Sequence, residues 1–323
     1  MSTVFAPQLM VTVNGGRLSP EAERCIDEVL VEDHLHLPGM FAMRFRTDAD
    51  LTAEAGLEIG HKVAIRLHAV ENHSTDAPVI EGEITGIEAT LGPFGSHLVI
   101  RGYDVAHRLH RARVTHAYRN MLDSDVATEI AKRHAIPLGH VDPTSTVHEH
   151  LPQLNATDWE FLRARAREVG REVAVRGGRL TFTKASTTIS GPQLPLTMGE
   201  QLLSFSPRIS SATQVGRSQV RGWDPGQKLA IVGSADAHTG AASLSTGPAH
   251  LAGLFGAPTQ VSVDRPLARQ GEADVAASAL ADSLGSTFVE AEGVARGDPY
   301  LRAGAPVRIE GAGSTFDGTY VLT

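Results

Sequence analysis

The chain has 323 residues, 41% of them hydrophobic and 20% charged, which suits an ordinary soluble protein with two or three packed domains. A formal charge of −8 excludes a broadly basic nucleic-acid binder, although it leaves room for a local basic patch. Cys25 is the single cysteine, so no intrachain disulfide forms, and no stretch is long and apolar enough for a membrane span. The opening residues MSTVFAPQLM lack a basic region followed by an apolar run, so folding in the cytoplasm without a signal peptide is expected.

From Phe5 to about Thr90 short apolar runs alternate with turn residues: Leu9, Val11 and Val13 before Asn14-Gly15-Gly16, then Val29 and Val31, Phe41, Met43 and Phe45, and Val63, Ile65 and Leu67. This is a sheet or barrel pattern. A strand over His97–Gly102 leads through Tyr103-Asp104 into a short helical run, Val105 to Arg111. Asp123 or Ser124 is the expected cap of a helix that points Val126, Ile130 and Ala131 inward and ends before Pro137. The polar segment Pro143 to Pro152 reads as a loop.

The stretch from Gln153 to Lys184 organises the rest. Thr157 and Glu160 have capping-box spacing, and Asp158 falls at the positive end of the helix dipole. Trp159, Leu162, Ala166 and Val169 make one apolar stripe, while Arg163, Arg167 and Glu168 face water. Gly170 is the predicted stop. Val173 and Val175, then Leu180 and Phe182, alternate on either side of Gly177-Gly178, which predicts a hairpin with a two-residue turn. Beyond a break over Ser186 to Gly191, a strand through Gln219 to Arg221 runs into Gly222-Trp223-Asp224-Pro225. Ser234 to Gly256 is small, Gly- and Ala-rich and reads as an exposed loop. Ala273 to Leu284 has helical spacing with Gly285 as its stop, followed by strands near Phe288–Val294, Val307–Ile309 and Tyr320–Leu322.

The last strands echo the first. Gly60, Val63 and Ile65 correspond to Gly304, Val307 and Ile309, and Gly82, Ile84 and Thr85 to Gly318, Tyr320 and Val321. The echo predicts two copies of one β element. The second copy lacks the strand that follows Gly82 in the first, and an exposed edge of that kind is normally protected, so a continuation beyond Thr323 is expected.

Candidate chemistry is sparse. Of the 15 histidines, His34 with His36, His107 with His110, and His148 with Glu149 and His150 lie closest together, and none has the spacing of a metallohydrolase helix. Asp123 with Asp125 and Asp48 with Asp50 are better explained as helix caps and turns than as paired acid–base carboxylates. There is no Gly-x-Ser-x-Gly elbow, Cys25 lacks a nucleophile setting, and Gly311 and Gly313 precede no phosphate-binding helix. Asn155 and Asn72 begin glycosylation sequons, and Arg108 to Arg113 reads as a solvated basic helix face. No catalytic, cofactor-binding or metal-binding residue is assigned, and no cofactor is expected.

The string Gln153, Asn155, Thr157, Asp158, Glu160, Phe161, Leu162 and Gly170 resembles a signature of contractile-tail hub proteins, the phage late-control gene D and VgrG spike family. Tyr103-Asp104, Gly222-Trp223-Asp224-Pro225 and the run from Gly297-Asp298-Pro299-Tyr300-Leu301 to Phe316-Asp317-Gly318-Thr319-Tyr320 extend the resemblance over most of the chain. It implies a mostly β, α+β protein with two similar β-barrel domains, residues 1–112 and 191–323, flanking an α/β module at 113–190. The second barrel would carry the Gly/Ala-rich loop near 234–256 and be truncated at its C-terminal edge. It further implies a homotrimeric, non-enzymatic hub joining a sixfold inner tube to a threefold spike. The implied partners are the inner tube, baseplate, tube-initiator and spike-tip proteins, with no nucleic acid and no membrane insertion by this part of the chain. Such a hub is part of an assembled particle that is cytoplasmic, membrane-attached or released. The family's OB-like and needle domains are not visible in the sequence. The competing readings are a tail-associated cell-wall hydrolase and a carbohydrate- or receptor-binding β module, the latter disfavoured by 5% aromatic content.

Overall fold

A computed structural model describes residues 8–46, 55–68, 78–93, 95–184, 189, 192–264, 267 and 269–323. Phe5, Asp48, Asp50, the Asn72 sequon and most of the Ser186–Gly191 break lie outside the described residues. The chain forms two compact units, Met1–Phe161 with Val173–Phe182, and Leu162–Glu172 with Thr183–Thr323.

In the first unit, strands β1 (Gln8–Val13), β2 (Gly16–Arg17), β3 (Ile26–Glu32), β4 (Met40–Arg46), β5 (Lys62–His68), β6 (Ile80–Thr90) and β7 (His97–Tyr103) form one sheet in the order β2-β1-β5-β6-β7-β4-β3. The sequence alternation sets its faces. Val11, Phe41, Met43, Phe45, Val63, Ile65, Ile84, Leu98 and Ile100 are buried in one core. Each large side chain taken from water there is worth about 1.5–3 kcal/mol. Gly82 and Gly102 make room for the Phe41 ring, since a Cβ on Gly102 would fall 2.3 Å from Phe41 Cζ. Among the described residues the predicted barrel does not close, because β2 and β3 end the sheet unpaired with each other. Helix α1 (Pro20–Cys25), capped by Ser19 and with Pro20 in its first turn, adds Ala22 to the core. Its residues Pro20, Glu23 and Arg24 line a cleft of about 440 Å³ with Leu9 and Val11 of β1 and Ile26 of β3, where a closed barrel would need a strand ladder.

The rest of this unit holds β8 (Arg113–Tyr118) paired with β10 (Leu151–Thr157), and helix α2 (Asp123–Arg133). β9 (Leu138–Val141) joins the hairpin β11 (Arg171–Arg176) and β12 (Arg179–Lys184) in a three-stranded sheet. Several sequence readings change here. Arg113 begins a strand instead of ending a helix face. Leu151 and Pro152 are already in a strand. The cap position of α2 is Leu122, whose N–H donates to Asp125 Oδ2 at 3.2 Å, while Asp123 and Ser124 lie buried inside the first turn. The hairpin turn is as predicted, with Gly177 and Gly178 at φ +53° and +69°.

Helix α3 (Asp158–Glu168) runs from one unit into the next, with Trp159, Leu162 and Ala166 buried and Gly170 at φ +63° after its end. Arg163 does not face water as predicted: its Nε is buried, and burial lowers its pKa.

Among its described residues the second unit is also mostly β and also not a closed barrel. Its strands are β13 (Leu194–Thr197), β14 (Leu202–Ile209), β15 (Arg217–Asp224), β16 (Leu229–Asp236), β17 (Ala242–Ser243), β18 (Thr259–Ser262), β19 (Val289–Ala295), β20 (Pro306–Glu310) and β21 (Gly318–Val321). They divide into a four-stranded sheet β13-β20-β21-β17, a pair β14-β19 and a three-stranded sheet β16-β15-β18. Helices α4 (Pro248–Gly253) and α5 (Gln270–Ser286) interrupt the strand succession, and α5 packs on β15 and β16 through Ala273, Ala276 and Ala277. Contact there is close: a Cβ on Gly233 would fall 2.1 Å from Ala273 O. The stretch Ser234–Gly256 is therefore not simply a loop, since it includes the end of β16, β17 and α4. Gly285 does not stop α5. It is buried within the helix, where a Cβ would meet His238 O at 2.1 Å.

The sequence echo is real as a hairpin. Gly60 N–H donates to Ile84 O at 2.8 Å and Ile84 N–H to His61 O at 2.9 Å, while Gly304 N–H donates to Leu322 O at 2.8 Å and Leu322 N–H to Ala305 O at 3.0 Å. Both glycines have positive φ, +92° and +84°. The equivalence of the second strand is offset by two residues from the sequence match: Val63 faces Gly82, whereas Val307 faces Tyr320 instead of Gly318.

Candidate functional site

At the start of α3, Gln153, Thr157 and Asp158 of the hub-like string are buried, while Asn155 and Glu160 are exposed. Thr157 and Glu160 form the predicted capping box, with Glu160 N–H donating to Thr157 Oγ1 at 3.1 Å and Thr157 N–H to Glu160 Oε2 at 2.9 Å. Glu160 also pairs with Arg113 at 2.7 Å, and its carboxyl is held below the usual range, chiefly by the Thr157 N–H. Asn155 occupies the left-handed region, φ +44°, where β10 bulges against β8 between Gln153 and Ala156.

Asp158 does more than answer the helix dipole. Its carboxylate, only 4% exposed, lies 2.6 Å from His134 Nε2 and accepts from Arg133 Nη1 at 3.3 Å and from Gln153 Nε2 at 2.9 Å. Gln153, fully buried, also donates to Ala156 O at 3.0 Å and accepts from the Tyr118 hydroxyl at 3.2 Å. Tyr118 stacks on Phe161 at 5.5 Å, and burial raises its pKa. Arg133 Nη2 reaches the same hydroxyl at 3.2 Å. The network locks β8, α2, β10 and α3 together through side chains that satisfy one another. Sequence reasoning missed Tyr118, Arg133 and His134, and it placed Gln153 in the hub-like string without its buried contacts. The available signal was Gln153 two residues after Leu151, an inward polar position, visible only once that segment is read as a strand.

A second charged cluster lies on β6. Burial would raise the Glu83 carboxyl, but Arg108 and His107 donate to it and hold it below the ordinary carboxylate range. His107 Nε2 is 3.0 Å away, Arg108 pairs through Nη2 and Nε, and Arg108 Nη1 also donates to His134 O at 3.2 Å. Arg108 is thus not simply the solvated face that its sequence neighbours suggest. His148 lies 2.9 Å from Asp123 Oδ2, whose side chain is fully buried. Ser124, next to Asp123, is engaged with Thr144. Among the described residues no group of three or more His, Cys, Asp or Glu side chains has the arrangement of a metal site. No helix among them is long and apolar enough to cross a membrane. Gly222, Trp223 and Asp224 are the last residues of β15, with Trp223 exposed, and the turn that follows begins at Pro225, where Asp224 Oδ1 accepts from Gly226 and Gln227 N–H at 2.8 and 3.0 Å.

These contacts join segments of the first unit, and comparison with known proteins shows what the chain is similar to. The profile of the Alg8 N-terminal domain family matches residues 46–323. The chain belongs to this family. No curated protein matches the sequence. Solved structures share the fold of this Alg8 N-terminal domain protein at low identity. The 43 kDa tail protein of prophage MuSo2 from Shewanella oneidensis superposes with a TM-score of 0.68 at 14% identity, over 98% of this chain and 92% of that one. A tail protein from Neisseria meningitidis MC58 gives 0.67 at 14%, over 98% and 90%. Prophage tail protein gp18 from Listeria monocytogenes EGD-e gives 0.57 at 10%, over 96% and 87%. The Alg8 N-terminal domain chain therefore has, over nearly its whole length, a fold found in phage tail proteins.

Proposed function

We propose that the chain is a structural hub of a contractile injection system or phage tail, a non-enzymatic homotrimer that joins a sixfold inner tube to a threefold spike. The observation that carries this reading is the near-full-length fold likeness to proteins described as tail proteins. The repeated hairpin at Gly60–Ile84 and Gly304–Leu322 adds support. Three chains, each with two copies of one element, present six similar elements to a sixfold ring, which relieves the symmetry mismatch. On this reading residues 1–112 and 191–323 provide those elements. The neighbours in the particle are the inner tube, baseplate, tube-initiator and spike-tip proteins.

Tagging the full-length product in its native host, purifying gently and imaging tests this. Tubes labelled at one end, with three copies of the chain there, are the expected result. A free monomer from cells that do make such particles would overturn it. The Asp123–His148 pair is the feature that a hydrolase would use, so cell-wall digestion is measured with and without Asp123→Ala and His148→Ala. Digestion lost in both variants, with the fold retained, would replace the structural reading by an enzymatic one.

A further inference from the structure

Two buried ring nitrogens in the first unit have no hydrogen-bond partner among the described residues: Nε2 of His110 and Nε1 of Trp159. The two rings lie against each other, with centroids 5.2 Å apart and planes tilted by 31°. His110 ends the short 3-10 helix Val105–His110, whose Ala106 and Leu109 are buried, and Trp159, only 4% exposed, stands in the first turn of α3. The stack therefore joins the end of that short helix to the start of α3, with no polar bond between the rings.

Other histidines of this unit are placed differently. His107, His134 and His148 lie 3.0, 2.6 and 2.9 Å from the carboxylates of Glu83, Asp158 and Asp123, so an anion stabilises a proton on each ring. His110 has no such ion pair among the described residues. Glu160 of α3 attracts a charge at His110, but its oxygens are engaged by Arg113 and by the Thr157 N–H. Glu83 of β6 is taken by His107 and Arg108, and a charge on His107 repels one on His110. Burial is the largest influence, and it lowers the His110 pKa. Imidazolium carries N–H on both nitrogens. Its Nε2–H would be buried without an acceptor, whichever neutral tautomer precedes it.

We propose that the His110–Trp159 stack is an acid-sensitive latch, in which the neutral imidazole holds the short helix on α3 and a proton on that ring releases the contact. A histidine whose folded pKa is lowered stabilises fully above its unfolded value of about 6.5 and loses that contribution as pH falls. The opposing pull is the attraction of a cation to the indole face, and the midpoint shows which wins. The chain has two tryptophans, so Trp223→Phe, at an exposed site, leaves Trp159 as the one indole reporter. Its emission is followed in the full chain from about pH 8 to about pH 5. A change with a midpoint below about 6.5 is expected, abolished by His110→Phe, which keeps a ring in the stack but cannot titrate. His110→Gln serves the same purpose if the phenylalanine variant does not fold. His134→Gln, which removes the histidine paired with Asp158 beside Trp159, leaves the change in place. Resistance of the wild type to urea, relative to His110→Phe, should fall over the same range. A midpoint at or above about 6.5, a change that persists without His110 or vanishes with His134→Gln, or no change at all would overturn the latch.

Discussion

Replacing Asp158 by alanine tests whether the buried network holds the first unit together. The substitution removes a carboxylate 4% exposed and leaves Gln153 Nε2, Arg133 and His134 without their shared acceptor. Breaking a buried ion pair by deleting one partner costs about 3–5 kcal/mol. Arg133 and His134 are 32% and 23% exposed, so water recovers part of their solvation and Gln153 keeps Ala156 O, which brings the expected loss to about 2–4 kcal/mol. For a unit of this size that is a midpoint lowered by roughly 5–15 °C. Differential scanning calorimetry follows the first unit's transition, and a double-mutant cycle with His134→Gln isolates the 2.6 Å contact. Asp158→Asn, which keeps an acceptor for Gln153, is expected to lose less than the alanine variant. A loss below about 1 kcal/mol for Asp158→Ala, or strict additivity with His134→Gln, would refute the network as a source of stability.

Thr157→Ala removes one half of the capping box and is expected to cost about 1 kcal/mol, read from urea unfolding. Gly102→Ala places a Cβ 2.3 Å from both Glu83 O and Phe41 Cζ, so it should lower stability by more than about 3 kcal/mol or prevent soluble expression. Asp104, which accepts from Gly39 and Ala106 N–H, has a pKa pushed up to about 6, chiefly by burial, with a smaller contribution from Asp33. A carboxyl raised in the folded state stabilises fully below its unfolded pKa and loses that contribution as pH rises through the folded one. Between about pH 4 and 6, stability of the wild type relative to Asp104→Asn should therefore fall by about 2 kcal/mol, and parallel pH profiles of the two proteins would contradict the assignment.

The local features were legible because local physics alone decides them. The capping box, the Gly177-Gly178 turn and the alternation of Phe41, Met43 and Phe45 each depend on residues within one element, and all stand in the structure as the sequence states them. Barrel closure was not legible. Strand alternation tells which side chains face inward, and it is silent on whether the first and last strands of a sheet meet. Here α1 lies by the open edges of one sheet, and α5, brought to within a glycine's contact of β16, divides the strands of the other unit. The same limit governs the polar residues. Asp158 read as a helix-dipole residue because that role is local, whereas its partners Arg133, His134 and Gln153, and Tyr118 bonded to Gln153 behind them, lie on three other segments. Sequence fixes what each segment prefers within a few residues. Only the folded chain decides which distant donors reach one buried carboxylate, because that choice depends on pairings that no short-range periodicity encodes.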